Sequence, residues 1–310
     1  MKTVGIIGGS GFIGSHITKR FLAENFKVKV SSTDVSNKDK YSHLLELENA
    51  ADLEIVPLDL REIETVKSLA EDCQIIVHTG TPIQLEVQDL QTELFEPTVK
   101  GTENLLKLLK NIAGLEKVIF VASVAAWNTS FPMLPAGYES DHIFSEKDAP
   151  YYSENDMPYA QAKYLADQAV RKFTDENSDL SFEIVTVSPV LVIGNALSDK
   201  RDFSSQTLLH LIKNKVTDNP FISGLFAADP LLSMVDVRDV AESVFQAAVK
   251  TNLHGKNYLL ANESYKVSDI SLMLNNQPPA SNAAHTYSNA LVKKDLGIDF
   301  ISAKDTLNGL

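Results

Sequence analysis

The chain has 310 residues, a hydrophobic share of 44 %, a charged share of 22 % and a formal net charge of −13. The proportions are those of an ordinary folded protein able to bury a full core, and the acidic balance argues against a nucleic-acid partner or an anionic membrane. The single cysteine, Cys73, excludes an internal disulfide and a cysteine-based zinc site.

The apolar run Val4-Gly5-Ile6-Ile7 leads straight into Gly8-Gly9-Ser10-Gly11-Phe12-Ile13-Gly14, with glycines spaced G-x-x-G-x-x-G. Behind them Ile13, Ile17 and Phe21 form the apolar stripe of a helix. A strand that turns through glycine into a helix aims free backbone N–H groups, and the positive end of the helix dipole, beyond the turn. The natural occupant of that place is a pyrophosphate. Further strands are expected at Lys27–Val30, Leu53–Leu58, Ile75–His78, Val118–Ala122 and Ile184–Val187. Helical stripes fill the gaps: Thr102, Leu105, Leu106 and Leu109 in one, Ala162, Ala166, Ala169, Val170 and Phe173 in another.

Short β-branched runs alternating with amphipathic helices predict an α/β fold, a Rossmann-type doubly wound parallel sheet covered on both faces. Two regions break the alternation. Residues 128–158 have no steady period and carry Pro132, Pro135, Pro150 and Pro158, which predicts a long, site-serving loop. After Pro189 the pattern turns irregular, then resumes with a helix at Val237–Val249 and a strand at Tyr258–Leu260. The expected division is a dinucleotide-binding domain of 1–190 plus about 231–261, and a smaller discontinuous C-terminal substrate lobe of about 191–230 and 262–310. Met1-Lys2-Thr3 lacks signal-peptide features. The most apolar later stretch, Val118 to Trp127, is about half the length that spans a bilayer. A cytoplasmic protein without a membrane partner is expected.

Tyr159-Ala160-Gln161-Ala162-Lys163 opens a helix, and a spacing of four puts phenol and ammonium on one face. A nearby cation favours the phenolate and lowers the phenol's pKa toward usable proton transfer. The same pair also arises when a surface lysine lies beside a half-buried tyrosine. Ser123 follows the fifth strand, where ligands of open parallel sheets sit, and its hydroxyl either holds a substrate oxygen or simply ends the strand. The fourth strand ends in His78-Thr79-Gly80-Thr81-Pro82, small residues that let a cofactor lie against the strand ends. His78 reads as a wall histidine, and the histidines show no metal-like spacing, so no metal is expected.

Glycine turn, Ser123 and Tyr159/Lys163 in this order resemble the extended short-chain dehydrogenases/reductases, the NAD-dependent epimerase/dehydratase superfamily. Within it the chain is similar to the dihydroflavonol reductase, cinnamoyl-CoA reductase and methylglyoxal/carbonyl reductase group. The likeness extends through Val77–Pro82, Pro97–Leu106, Ser188–Gly194 and Val235–Ala241. It implies an NAD(P)-dependent oxidoreductase moving hydride between nicotinamide and a carbonyl or secondary alcohol of a small or medium, partly apolar substrate. The implied catalytic residues are Tyr159 as acid/base, Lys163 on the nicotinamide ribose, and Ser123 orienting the carbonyl.

The implied cofactor set is Gly8, Gly11, Phe12, Ile13 and Gly14 at the pyrophosphate, Asp59 and Leu60 at the adenine, Thr79, Gly80 and Thr81 beside the fourth strand, and Pro189, Val190 and Val192 at the nicotinamide. Thr98 stands where many members carry asparagine, which puts a proton relay there in doubt. NADPH-using relatives place an arginine at Thr33, and NAD-using members an acid at Ser32; this chain has neither. Asp34 would accept from a ribose 2′-hydroxyl, whereas Lys38 or Lys40 would meet a 2′-phosphate. Both NAD(H) and NADP(H) stay open, with a slight lean to NAD(H). Two other functions compete. One is a nucleotide-sugar epimerase or dehydratase, disfavoured because Leu232 stands where an arginine often binds the diphosphate, although Lys200 or Arg201 could substitute. The other is a non-catalytic dinucleotide sensor. The resemblance also allows a homodimer through the helices near 98–110 and 159–174.

Overall fold

The structure, a computed structural model, describes residues 1–60, 62–79, 89–198 and 205–310. Gly80, Thr81, Lys200 and Arg201, singled out above, lie outside the described residues. The described strands are β1 (Thr3–Ile7), β2 (Lys27–Ser32), β3 (Leu53–Pro57), β4 (Ile75–His78), β5 (Lys117–Val121), β6 (Glu183–Pro189), β7 (Leu191–Ile193), β8 (Leu231–Asp236), β9 (Lys256–Leu260) and β10 (Ser264–Lys266). The described helices are α1 (Phe12–Ala23), α2 (Ser42–Leu45), α3 (Ile63–Ala70), α4 (Gly101–Leu109), α5 (Pro158–Glu176), α6 (Ser205–Lys213), α7 (Pro220–Ala228), α8 (Val237–Val249), α9 (Val267–Leu274), α10 (Ala290–Leu296) and α11 (Ala303–Asn308).

Seven strands form one sheet in the order β3-β2-β1-β4-β5-β6-β9, and every pairing in it is parallel. Alternate residues along a strand point to opposite faces, and the chain spends apolar side chains on both. Val4 and Ile6, Ile75 and Val77, Ile119 and Val121, and Val185 and Val187 enter one core with α1 and α8. Ile7, Ile76, Val118, Phe120 and Ile184 enter the other with α3, α4 and α5. This is why the strands read as unbroken apolar runs. The strand order reverses at β1, and the crevice beyond the carboxyl ends of β1 and β4 is where such sheets bind ligands.

A second sheet of β10-β8-β7 carries a third core, with Ile193, Leu232, Met234, Ile270 and Met273 at its centre. Of the stretch read from sequence as returning to the large sheet, 231–261, β8 lies in this small sheet, while β9 and α8 pack with the large one. Residues 287–298, read as part of the substrate lobe, contribute Tyr287, Val292, Leu296 and Ile298 to the large sheet's core. Short apolar segments do not announce which of two cores they will join.

Residues 128–157 hold no described helix or strand beyond isolated bridges at Asn128–Tyr151 and Phe144–Tyr287, and Pro158, the last residue of the expected loop, opens α5. Ahead of α4, Gln91–Lys100 winds as a wide π-helix around Pro97, whose missing N–H cannot join a regular α-helical ladder. No described helix is long and apolar enough to cross a membrane. No group of three or more described His, Cys, Asp or Glu side chains could hold a metal ion.

Candidate active site

The glycine turn is built around two backbone demands. Gly8 has φ +80°, a left-handed conformation that side chains resist. A Cβ on Gly14 would come within 2.0 Å of the Gly8 carbonyl oxygen, so the start of α1 can lie against the turn only without a side chain. The turn closes by Gly11 N–H donating to Gly8 O at 3.1 Å. It is tied to β2 by Gly8 N–H donating to Ser31 Oγ at 3.0 Å. Ser31, unmarked by the sequence reading, thus anchors the turn. Gly11 stands at the cap of α1 with no side-chain partner for the first-turn amides. Phe12 and Ile13 present those amides beyond the turn. A positive helix end with bare backbone and no Cβ in the way fits a pyrophosphate.

At the end of β2, Asp34 is exposed and its Oδ1 accepts from Ser36 N at 3.0 Å and Ser36 Oγ at 2.6 Å, which holds its carboxyl below the usual range. Lys40 Nζ donates to Thr33 Oγ1 at 2.7 Å. Asp59 and Leu60 follow β3. Asp59 is held by Thr65, whose Oγ1 donates to the Asp59 carbonyl at 2.9 Å, and Leu60 packs on the second core. Thr79 continues β4 beside β1, with its N–H and Oγ1 both 2.9 Å from Ile7 O. Pro189 ends β6, and the buried Val190 and Val192 carry the chain into the small sheet.

Ser123 follows β5 in extended backbone and caps a single helical turn, Val124–Ala126, with its Oγ accepting from Ala125 N at 3.2 Å. Among the described residues no acceptor takes its hydrogen, so the hydroxyl still has a bond to donate. That turn packs against α5. Pro158 opens α5, and Tyr159 sits in its first turn. Lys163 is buried with its ammonium 6.0 Å from the centre of the Tyr159 ring.

The expected depression of the phenol by the lysine does not appear. Tyr159 is partly exposed as a residue, yet burial around its phenol pushes the pKa up to about 12. Burial also pulls Lys163 down to about 8. Desolvation disfavours each charged form and outweighs an ammonium that lies over the ring. His78 is buried, lies against Phe120, and is held down to about 4 by burial and then by the Lys163 charge, so it is a neutral wall at physiological pH. The Thr98 hydroxyl is buried without a hydrogen-bond partner among the described residues, and its carbonyl accepts from Thr102 Oγ1 at 2.7 Å.

Residues 4–261 match the NAD dependent epimerase/dehydratase family. The chain therefore belongs to that family, the extended branch of the short-chain dehydrogenases/reductases, and its cofactor is NAD(P). It is 29 % identical to a cinnamoyl-CoA reductase of Medicago truncatula over 84 % of this chain and 76 % of that protein. It is 27 % identical to the NADPH-dependent methylglyoxal reductase Gre2 of Saccharomyces cerevisiae over 99 % of this chain and 96 % of that one. The crystal structure of yeast methylglyoxal/isovaleraldehyde reductase Gre2 complexed with NADPH superposes with a TM-score of 0.81 at 25 % identity, covering 99 % of this chain and 96 % of that chain.

Proposed function

We propose that the protein is an NADPH-dependent reductase of aldehydes and ketones. The observations that support the reading are a bare glycine turn after β1, a serine hydroxyl after β5 whose hydrogen no acceptor among the described residues takes, and a tyrosine–lysine pair one helical turn apart on the helix packed against that serine's turn. When bound, the reduced nicotinamide supplies a hydride to the carbonyl carbon. Ser123 donates to the carbonyl oxygen and holds it facing Tyr159. A phenol held near 12 is fully protonated at neutral pH, so Tyr159 is set to give its proton to the oxygen as charge develops there. Lys163, brought down to about 8, still carries most of its charge at pH 7 and offsets the phenolate left behind.

Lys40 turns the cofactor reading away from the sequence lean to NAD(H). Its ammonium, hydrogen-bonded to Thr33, stands at the position where NADPH-using relatives carry an arginine. Asp34 meanwhile spends its carboxylate on Ser36. The epimerase reading lacks its cation at Leu232, which is buried in the third core. The test is turnover of methylglyoxal, isovaleraldehyde and a panel of aromatic ketones with NADPH and NADH. Reduction with an exchangeable cofactor supports the reading, and a copurifying NAD that does not exchange would sink it.

A further inference from the structure

The 127–130 segment, four residues beyond Ser123, is zipped to the residues just ahead of Tyr159. Tyr151 N–H donates to Trp127 O at 2.8 Å and Thr129 N–H to Tyr151 O at 3.2 Å. Asp156 completes the join. Its Oδ2 accepts from Thr129 Oγ1 at 2.5 Å and from Ser130 Oγ at 2.9 Å, and its Oδ1 lies 3.1 Å from the same serine. Its main-chain carbonyl accepts from Gln161 Nε2 at 2.7 Å, a residue of the first turn of α5. Thr129 Oγ1 also receives Ser153 N–H at 3.0 Å. Two hydroxyls on the serine side of the site and an amide on the tyrosine side therefore meet at one residue.

The cap of α5 is Met157, whose side chain bonds no first-turn amide, and the carboxylate of Asp156, one residue earlier, reaches across to the loop. Tyr159 follows three residues later, so the place of the carboxylate sets the place of the phenol.

We propose that Asp156 is a positioning residue that fixes the separation of Ser123 and Tyr159, an inference that rests on the catalytic reading above. It touches neither substrate nor cofactor; it acts by setting where two hydrogen-bond donors converge on one carbonyl oxygen. Charged acceptors hold hydroxyls more tightly than neutral ones. Displacements near 1 Å at a reacting centre cost roughly 100-fold in rate. A second tie lies further along α5, where Arg171 stacks on Trp127 at 4.4 Å and bonds Asp167 at 2.6 Å. Asp167 is in turn bonded by Asn257, whose Oδ1 accepts from Trp127 Nε1 at 3.3 Å. Loss of Asp156 thus loosens the upper end of the join while the lower end keeps the fold.

The test compares Asp156→Ala, Asp156→Asn and the Thr129→Val/Ser130→Ala pair, using methylglyoxal and NADPH. Asp156→Ala is expected to lower kcat roughly 10- to 100-fold with the NADPH Kd, read by cofactor fluorescence, within about two-fold of the parent. Asp156→Asn keeps one acceptor oxygen and should recover part of that loss. The Thr129/Ser130 pair should reproduce the effect and add nothing on top of Asp156→Ala. Amide exchange should quicken in the first turn of α5 and not along β5. A kcat within three-fold of the parent, or a loss carried wholly by the NADPH Kd, overturns the inference. Tyr159→Phe serves as the reference: if it is inactive while Asp156→Ala is not, this inference alone falls, and if Tyr159→Phe still turns over, the catalytic reading falls with it.

Discussion

In the proposed reading, the two sheets of this molecule divide the labour of the site unequally. The seven-stranded sheet supplies the glycine turn from β1, Thr79 from β4, Ser123 from β5 and, through α5 packed on its face, Tyr159 and Lys163. In that reading the three-stranded sheet contributes Val192 on β7, with Val190 just ahead of it. Its strands β7 and β10 are three residues long, and its core is separate. Groups that must meet a cofactor and a carbonyl at fixed distances stand on the element with the most buried ladder. A wall that must fit one substrate can stand on a lighter one.

The widest difference between the two regions should appear with Tyr159→Phe. It removes only the proton donor, so kcat should fall about 1000-fold, or about 4 kcal/mol of barrier, with cofactor affinity unchanged. Steady-state rates and a fluorescence titration decide it. Substantial remaining turnover would move the acid elsewhere.

In the small sheet the counterpart is Met273→Ala. Met273 is fully buried in the third core, and truncation there should cost about 3 kcal/mol in urea unfolding. If the division holds, KM for the carbonyl substrate rises while the NADPH Kd stays put. A parallel rise in both would mean the two cores act as one.

What could be read beforehand follows the same division. The large sheet was legible because its central strands β1, β4, β5 and β6 alternate between two buried faces and α1, α4 and α5 carry regular apolar stripes. Gly8 and Gly14 were legible because backbone geometry admits nothing else there. The small sheet was not, since three-residue strands such as β10 have no period to detect. The Asp156–Thr129 contact joins residues 27 apart in the chain through a loop without a repeat, and no local pattern marks it. The direction of the Tyr159 shift was misjudged for a different reason: spacing gives the distance between two groups but not the water each has lost.

Acid should also discriminate between the regions. His78 has a folded pKa of about 4 against an ordinary 6.5, so the folded state binds fewer protons than the unfolded chain between those values. Stability is therefore unaffected above pH 6.5 and is lost as pH falls toward 4. The loss from this residue is on the order of 2 to 3 kcal/mol between pH 7 and pH 4.5. His78→Leu should flatten that slope in urea titrations at the two pH values. An unchanged slope would place the acid sensitivity elsewhere.

The smallest expected effect is at the cofactor's adenine end, and it tests whether the large sheet alone chooses the cofactor. Lys40→Ala leaves β2 and the glycine turn intact, because among the described residues the half-buried lysine's ammonium holds Thr33, beyond the end of β2, and no part of the glycine turn. If its ammonium meets a 2′-phosphate, kcat/KM with NADPH should drop about tenfold, equivalent to about 1.4 kcal/mol, while kcat/KM with NADH stays within about two-fold. Thr33→Arg should do the reverse, raising the NADPH preference by giving the phosphate a bidentate partner. If Lys40→Ala leaves the NADPH to NADH ratio unchanged while Asp34→Ala shifts it against NADH, the aspartate reads the ribose and the choice returns to NAD(H).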